Sequence, residues 1–166
     1  MMTKKIRKVF IGDTHFGHEN LLRFRSQFET INQHDDFIRD NIIMSVDIRT
    51  DLYLVGDVCF TKETFITHIL PLKENARKVI LIPGNHDFER SKAPKIQDFL
   101  EAGIIIRPYY SFGEYFVSHV PVHQSQFERE GVNKNICAHT HGEYMLDERY
   151  ICVSCEVVNY TPVEIQ

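Results

Sequence analysis

Short apolar runs alternating with amphipathic stretches dominate the first two-thirds of the chain. The runs Lys8 to Ile11, Leu52 to Val55 and Val79 to Ile82 are short and nearly continuous in apolar residues, the pattern of strands buried on both faces. Between them, Asn20 to Phe28 carries Leu21, Leu22, Phe24 and Phe28 near helical spacing, which predicts a short helix. Asp35 to Val46 has Phe37, Ile38, Ile42 and Val46 on one face and predicts a clearer amphipathic helix. Thr61 is a candidate N-cap for a helix running to about Leu70 and stopped by Pro71. Ser91 to Ala102 predicts a further helix with Pro94 in its first turn and Gly103 after its end.

The remainder is richer in strands. Ile104 to Ile106, Tyr115 to Ser118, Ile136 to Ala138, Tyr144 to Leu146, Tyr150 to Cys155 and Pro162 to Ile165 are the candidates, and His119 to Asn135 reads as a surface loop. Strand–helix alternation followed by strands predicts parallel βαβ units joined by antiparallel pairs, an α/β fold. No repeat, low-complexity segment or linker interrupts the 166 residues, so a single domain over 1–166 is expected.

Composition narrows the class. The 43% hydrophobic content is enough for a real core, and a net charge of -4 gives no support to a dedicated nucleic-acid binder. The apolar run near the N-terminus is too short for a signal sequence, and none approaches a membrane span, so a cytoplasmic location without membrane association is expected. In that compartment Cys59, Cys137, Cys152 and Cys155 are expected to be reduced. Cys152 and Cys155 form a CxxC on a strand-like run, which would send the thiols to opposite faces, and ordinary packing is expected of them.

The polar residues at the strand ends bring in chemistry. Asp13 with His15, Asp57, Asn85 with His86, His119, and His139 with His141 each follow an apolar run. Residues two apart on an extended segment point the same way, so the D-x-H and H-x-H pairs are each expected to present two ligands to one site. Imidazole and carboxylate suit divalent transition ions. Seven candidate ligands exceed what one tetrahedral ion takes and fit two ions sharing a carboxylate. Of the other histidines, His34 and His68 fall in helix-like segments and are expected to face solvent, while His18 and His123 lie near the DTH and SHVP motifs. Arg90, Lys92 and Lys95 could approach a phosphate, but the solvated start of a helix is the expected place for them.

The motifs DTH, GD, GNHD, SHVP and HTH occur here in the order and spacing of the calcineurin-like metallophosphoesterases, which the chain resembles from Asp13 to His141. The run DTHFGHEN and the small size look most like the compact bacterial and phage phosphoesterases. The resemblance implies a four-layer α/β/β/α sandwich with two mixed sheets. It implies one metal held by Asp13, His15, Asp57 and His141, and a second held by Asp57, Asn85, His119 and His139, with Asp57 bridging. Manganese is the expected ion, with iron, nickel or zinc compatible.

In that family a hydroxide between the metals attacks phosphorus, His86 matches the general acid, and Asp87 matches the carboxylate that orients it. His18 is expected on the substrate side. Ser26, Gln27 and Phe28 replace the Arg-Pro-Phe of related enzymes, so Arg23 or Arg25 is expected to cover for that arginine, with Arg25 the candidate substrate contact. Ala138 stands where the family usually has glycine. The expected activity is hydrolysis of phosphoesters, diesters ahead of monoesters. A non-catalytic metal-binding scaffold, a phosphomonoesterase or a phosphoprotein phosphatase are the alternatives. A phosphoester substrate is the expected partner, and a homo-oligomer is compatible with the sequence.

Overall fold

The parallel pairing of the first three apolar runs organises the molecule. A computed structural model describes residues 5–129, 131–142 and 147–166. In it β1 (Arg7–Ile11), β2 (Thr50–Val55) and β3 (Lys78–Ile82) pair in parallel, with Val9 opposite Leu52 and Leu52 opposite Val79. A short parallel β4 (Ile105–Ile106) extends one edge, and β9 (Val163–Glu164) closes the other antiparallel to β1. The second sheet runs β5 (Tyr110–Phe112), β6 (Tyr115–Val117), β7 (Lys134–Cys137) and β8 (Tyr150–Cys152). The β5–β6 pair is antiparallel and the other pairs are parallel, so both sheets are mixed.

Side-chain alternation along the strands then builds the layers. Leu52, Leu54, Val79 and Leu81 face Ile38 and Ile42 of α1 (Ile31–Ser45) and Phe99 of α4 (Ile96–Glu101). Their neighbours Tyr53, Val55, Ile80 and Ile82 face Val117, Ile136 and Ala138 of the second sheet. The second sheet's outer face packs Phe116, Cys137 and Tyr150 against Val122 and Val132 of the segment that carries α5 (Gln124–Arg129). The order is therefore helices, sheet, sheet and a thin outer cover.

Several elements differ from the sequence expectation. The segment expected to be helical from Asn20 is a 3-10 turn, Glu19–Arg23. Pro71 does not stop its helix: α2 (Lys62–Thr64) passes through a π turn (Phe65–Ile69) into α3 (Leu70–Asn75). Pro71 falls in the first turn of α3, where the amide hydrogen it lacks is not required. Helix α4 starts later than expected, with Lys95 as N-cap and its N–H bonded to Asp98, so Pro94 precedes it. The expected surface loop contains α5, and strand β5 pairs with β6 around Gly113 at φ 53°. The expected strand at Tyr144 to Leu146 lies outside the described residues.

His34 and His68 are buried rather than solvent-facing. His68 stacks on Phe16 at 5.0 Å, and His34 lies between Asp35 and Arg25. All four cysteines are free and buried, with Cys155 beyond the end of β8 rather than on it. Among the described residues no helix is long and apolar enough to cross a membrane.

Candidate metal centre

The loops after β1, β2, β3, β6 and β7 meet where the two sheets adjoin. Gly12 joins them: its N–H bonds Val153 O at 2.7 Å, and its carbonyl accepts from Cys155 N–H at 3.0 Å. A Cβ on Gly12 would stand 2.5 Å from the Ala138 methyl, so the small residue needed at this contact is supplied by Gly12. Ala138 is not among the residues with positive φ and accommodates its methyl without backbone strain.

Two groups of side chains converge there. Asp13, His15 and His141 form one cluster, and Asp57, His119 and His139 form the other, each with its donor atoms within 4.8 Å of one another. Asn85 joins the second, with its Oδ1 3.3 Å from His119 Nε2. Asp57 Oδ2 lies 3.5 Å from His119 Nε2 and 3.9 Å from His15 Nε2, so a single carboxylate oxygen reaches both clusters.

The pairs Asp13/His15 and His139/His141 are not on extended backbone. Asp13, His15, Asp57, His139 and His141 all have φ between 51° and 68°, the left-handed region. Such a conformation costs an L-residue about 1–3 kcal/mol and marks functional sites. Asp13 and His15 do share a cluster, but the turn sends His139 and His141 to different ones. The expectation that an H-x-H pair serves one site fails for that reason: His141 groups with Asp13 and His15, and His139 with Asp57 and His119.

The donors match a metal site chemically. Asp13 Oδ1 and His15 Nε2 are buried with no hydrogen-bond partner among the described residues. A buried polar atom left so is costly unless something fills the gap. His119 Nδ1 donates to Val55 O at 2.9 Å, which leaves its Nε2 facing Asp57 and Asn85, and His141 Nδ1 donates to Glu156 Oε1 at 2.9 Å. Burial drives the His15 imidazole down to about 2, against the pull of Asp57, so that ring is neutral and able to ligate. The Asp57 carboxyl, despite its burial, is held at about 2 by contact with His119. Burial raises Asp13 in spite of His141 and the 2.6 Å hydrogen bond from Ser154.

A second ring of residues holds these candidate ligands in place. Arg25, expected as a substrate contact, is fully buried behind them instead. Its guanidinium donates to Asp13 O at 2.7 Å, Thr14 O at 3.4 Å, His34 Nε2 and Glu156 Oε1, so it fixes the backbone of the DTH loop from behind. Nothing in the sequence marks Glu156, since a lone acid after a CxxC carries no local signal. Although burial pushes the Glu156 carboxyl up, hydrogen bonds from His141 and Arg25 hold it at about 2.

Asp87 also has another task than the expected one. Its oxygens accept the N–H groups of Gly84, Asp57 and Val58 at 2.7, 3.0 and 2.7 Å, tying the GNHD loop to the GD loop. The carboxylate at His86 Nδ1 is Glu89, at 2.9 Å. Gly84 is required because a Cβ there would lie 2.2 Å from Asp57 Oδ1.

His86 lies at the open side of the centre. His18 stacks on Phe60 at 4.5 Å, and Phe60 also contacts the rings of His15 at 5.3 Å and His86 at 6.0 Å. His18 lies beside His15, with its Nδ1 3.4 Å from that ring's Nδ1, and is partly open. His123, by contrast, contacts Ser125 at the start of α5.

A family model described as calcineurin-like phosphoesterase matches residues 6–148. No curated protein matches the chain. Among solved structures, a protein of unknown function from Aquifex aeolicus superposes with a TM-score of 0.71 at 23% identity, covering 95% of both chains. A novel archaeal phosphodiesterase aligns at a TM-score of 0.46 and 19% identity over 96% of this chain and 98% of that one. A metallophosphoesterase from Sphaerobacter thermophilus aligns at 0.42 and 14%, over 98% and 70%. The Aquifex likeness is one of fold, and the other two are fainter.

Proposed function

The chain belongs to the calcineurin-like phosphoesterase family, and we propose that within it this protein is a two-metal phosphodiesterase. The observation that carries the reading is the place of Asp57, whose Oδ2 faces both ligand clusters. Asp13, His15, Asp57 and His141 would hold one ion, and Asp57, Asn85, His119 and His139 the other. Two divalent ions, manganese by preference, would supply a water acidified to near-neutral pKa and neutralise charge at the phosphoryl group.

The protein's own groups do the rest. His86 Nδ1 is committed to Glu89, which leaves Nε2 as the atom that gives a proton to the departing oxygen. Phe60, stacked on His18, stands beside the His86 ring. An alkoxide leaving group needs such a proton, and this favours diesters of alcohols over a reading as a passive scaffold.

The test is hydrolysis of bis-p-nitrophenyl phosphate and p-nitrophenyl phosphate with added manganese. The reading expects a higher kcat/KM for the diester. A higher value for the monoester would overturn the diester preference, and metal bound without hydrolysis of either would indicate a binding module.

A further inference from the structure

Arg90 is exposed at the rim of the metal centre, with its guanidinium carbon 4.5 Å from the centroid of the Phe60 ring. Phe60 is itself buried and in contact with the rings of His15, His18 and His86. A cation–π contact therefore holds this charge next to both a candidate ligand and the candidate acid. The main chain around it is anchored: Arg90 O accepts from Ala93 N–H at 3.1 Å and from Lys95 Nζ at 3.2 Å, and Lys92 O accepts from Lys62 N–H at 3.0 Å.

The natural counter-ion for Arg90 is already engaged. Glu89, its neighbour, directs its carboxylate to His86 Nδ1. Among the described residues no carboxylate comes within ion-pair distance of Arg90, whereas Arg25 pairs with Glu156, Arg39 with Asp36 and Arg77 with Asp51. A positioned, exposed guanidinium with no internal anion is built to receive one from outside, and its fork suits a phosphate. The scissile phosphoryl group would already meet the charge of two ions. Arg90 follows His86 on the same loop and stands on the side from which the leaving group is protonated.

We propose that Arg90 binds a second phosphate carried by the leaving group, so that the preferred substrates are phosphodiesters whose departing alcohol is itself phosphorylated. This rests on reading the centre as a phosphodiesterase with His86 on the leaving-group side.

The experiment compares the dinucleotide ApA with its 5′-phosphorylated and 3′-phosphorylated forms on the manganese-loaded protein. Both equilibrium binding and kcat/KM are read for wild type, Arg90→Ala and Arg90→Lys. At least one phosphorylated form should bind and turn over better than ApA by about tenfold or more, the effect of one charge-assisted contact. That preference should collapse in Arg90→Ala and return in part in Arg90→Lys. An equal preference in Arg90→Ala would overturn the proposal, as would equal losses on all three dinucleotides, which would place Arg90 on the scissile phosphate. Equal binding of all three by wild type would overturn it as well. If phosphorylated dinucleotides bind through Arg90 but none is cleaved, the phosphodiesterase reading fails while the anion site stands.

Discussion

Glu156 accepts a hydrogen bond from His141 Nδ1 at 2.9 Å, and so leaves Nε2 as the nitrogen His141 can offer to an ion beside Asp13 and His15. The same oxygen takes Arg25 Nε at 2.7 Å, which links His141 to the buried support of the DTH loop. Carboxylates placed in this way typically account for about 10–100-fold in metal affinity. Glu156→Gln should weaken binding of one ion by about that factor, with the second ion less affected. Metal titration followed by calorimetry reads both steps, and unchanged affinities would show that Glu156 serves the fold alone.

Glu89 and His86 form a second such pair, 2.9 Å apart and partly exposed. His86→Ala should lower kcat on a diester by about 10²–10⁴-fold with bound metal unchanged. Glu89→Ala should produce a smaller drop in kcat. The loss in His86→Ala should shrink on esters with acidic leaving groups, which depart without a proton. A series of aryl esters of graded leaving-group pKa checks this.

The carboxyl of Asp87 is pushed up to about 6 by burial, even though three backbone N–H groups favour its charge. A raised folded-state pKa means the native protein binds the proton more tightly than the unfolded chain. The contribution of Asp87 to stability should therefore fall as pH rises from about 4 to about 6. Denaturant midpoints of metal-free wild type minus Asp87→Asn, measured across that window, should show the decline. At acid pH Asp87→Asn should still be less stable by about 1–3 kcal/mol, because an amide cannot accept from all three donors.

Arg25 is predicted to be structural. Arg25→Met would leave Glu156 without one of its donors and the buried His34 Nε2 without its donor, at a cost of about 3–5 kcal/mol. Chemical denaturation reads this directly. A stable variant with altered KM would instead restore the substrate role suggested by the sequence.

How much of this was legible follows from the physics of each residue. Strands buried on both faces announce themselves as apolar runs, so β1, β2 and β3 and the polar groups just after them could be read from spacing. His34 and His68 could not, because a helical wheel counts histidine as polar, and only the fold reveals the partners Asp35, Arg25 and Phe16. Pro71 looks like a helix stop in the sequence because nothing local encodes the π turn before it. Glu156 reaches the centre from the far end of the chain, where no motif marks it. The division of His139 and His141 between two clusters depends on left-handed backbone at both, which an extended-strand rule misses.

Asp57, proposed to join two ion sites through one carboxylate, can be probed by titrating manganese into metal-free protein and following it by electron paramagnetic resonance. Two ions per chain should bind and give a spin-coupled signal, with the coupling and the affinity of both sites lost in Asp57→Ala. A single ion per chain, or two uncoupled ions that survive in Asp57→Ala, would contradict that role.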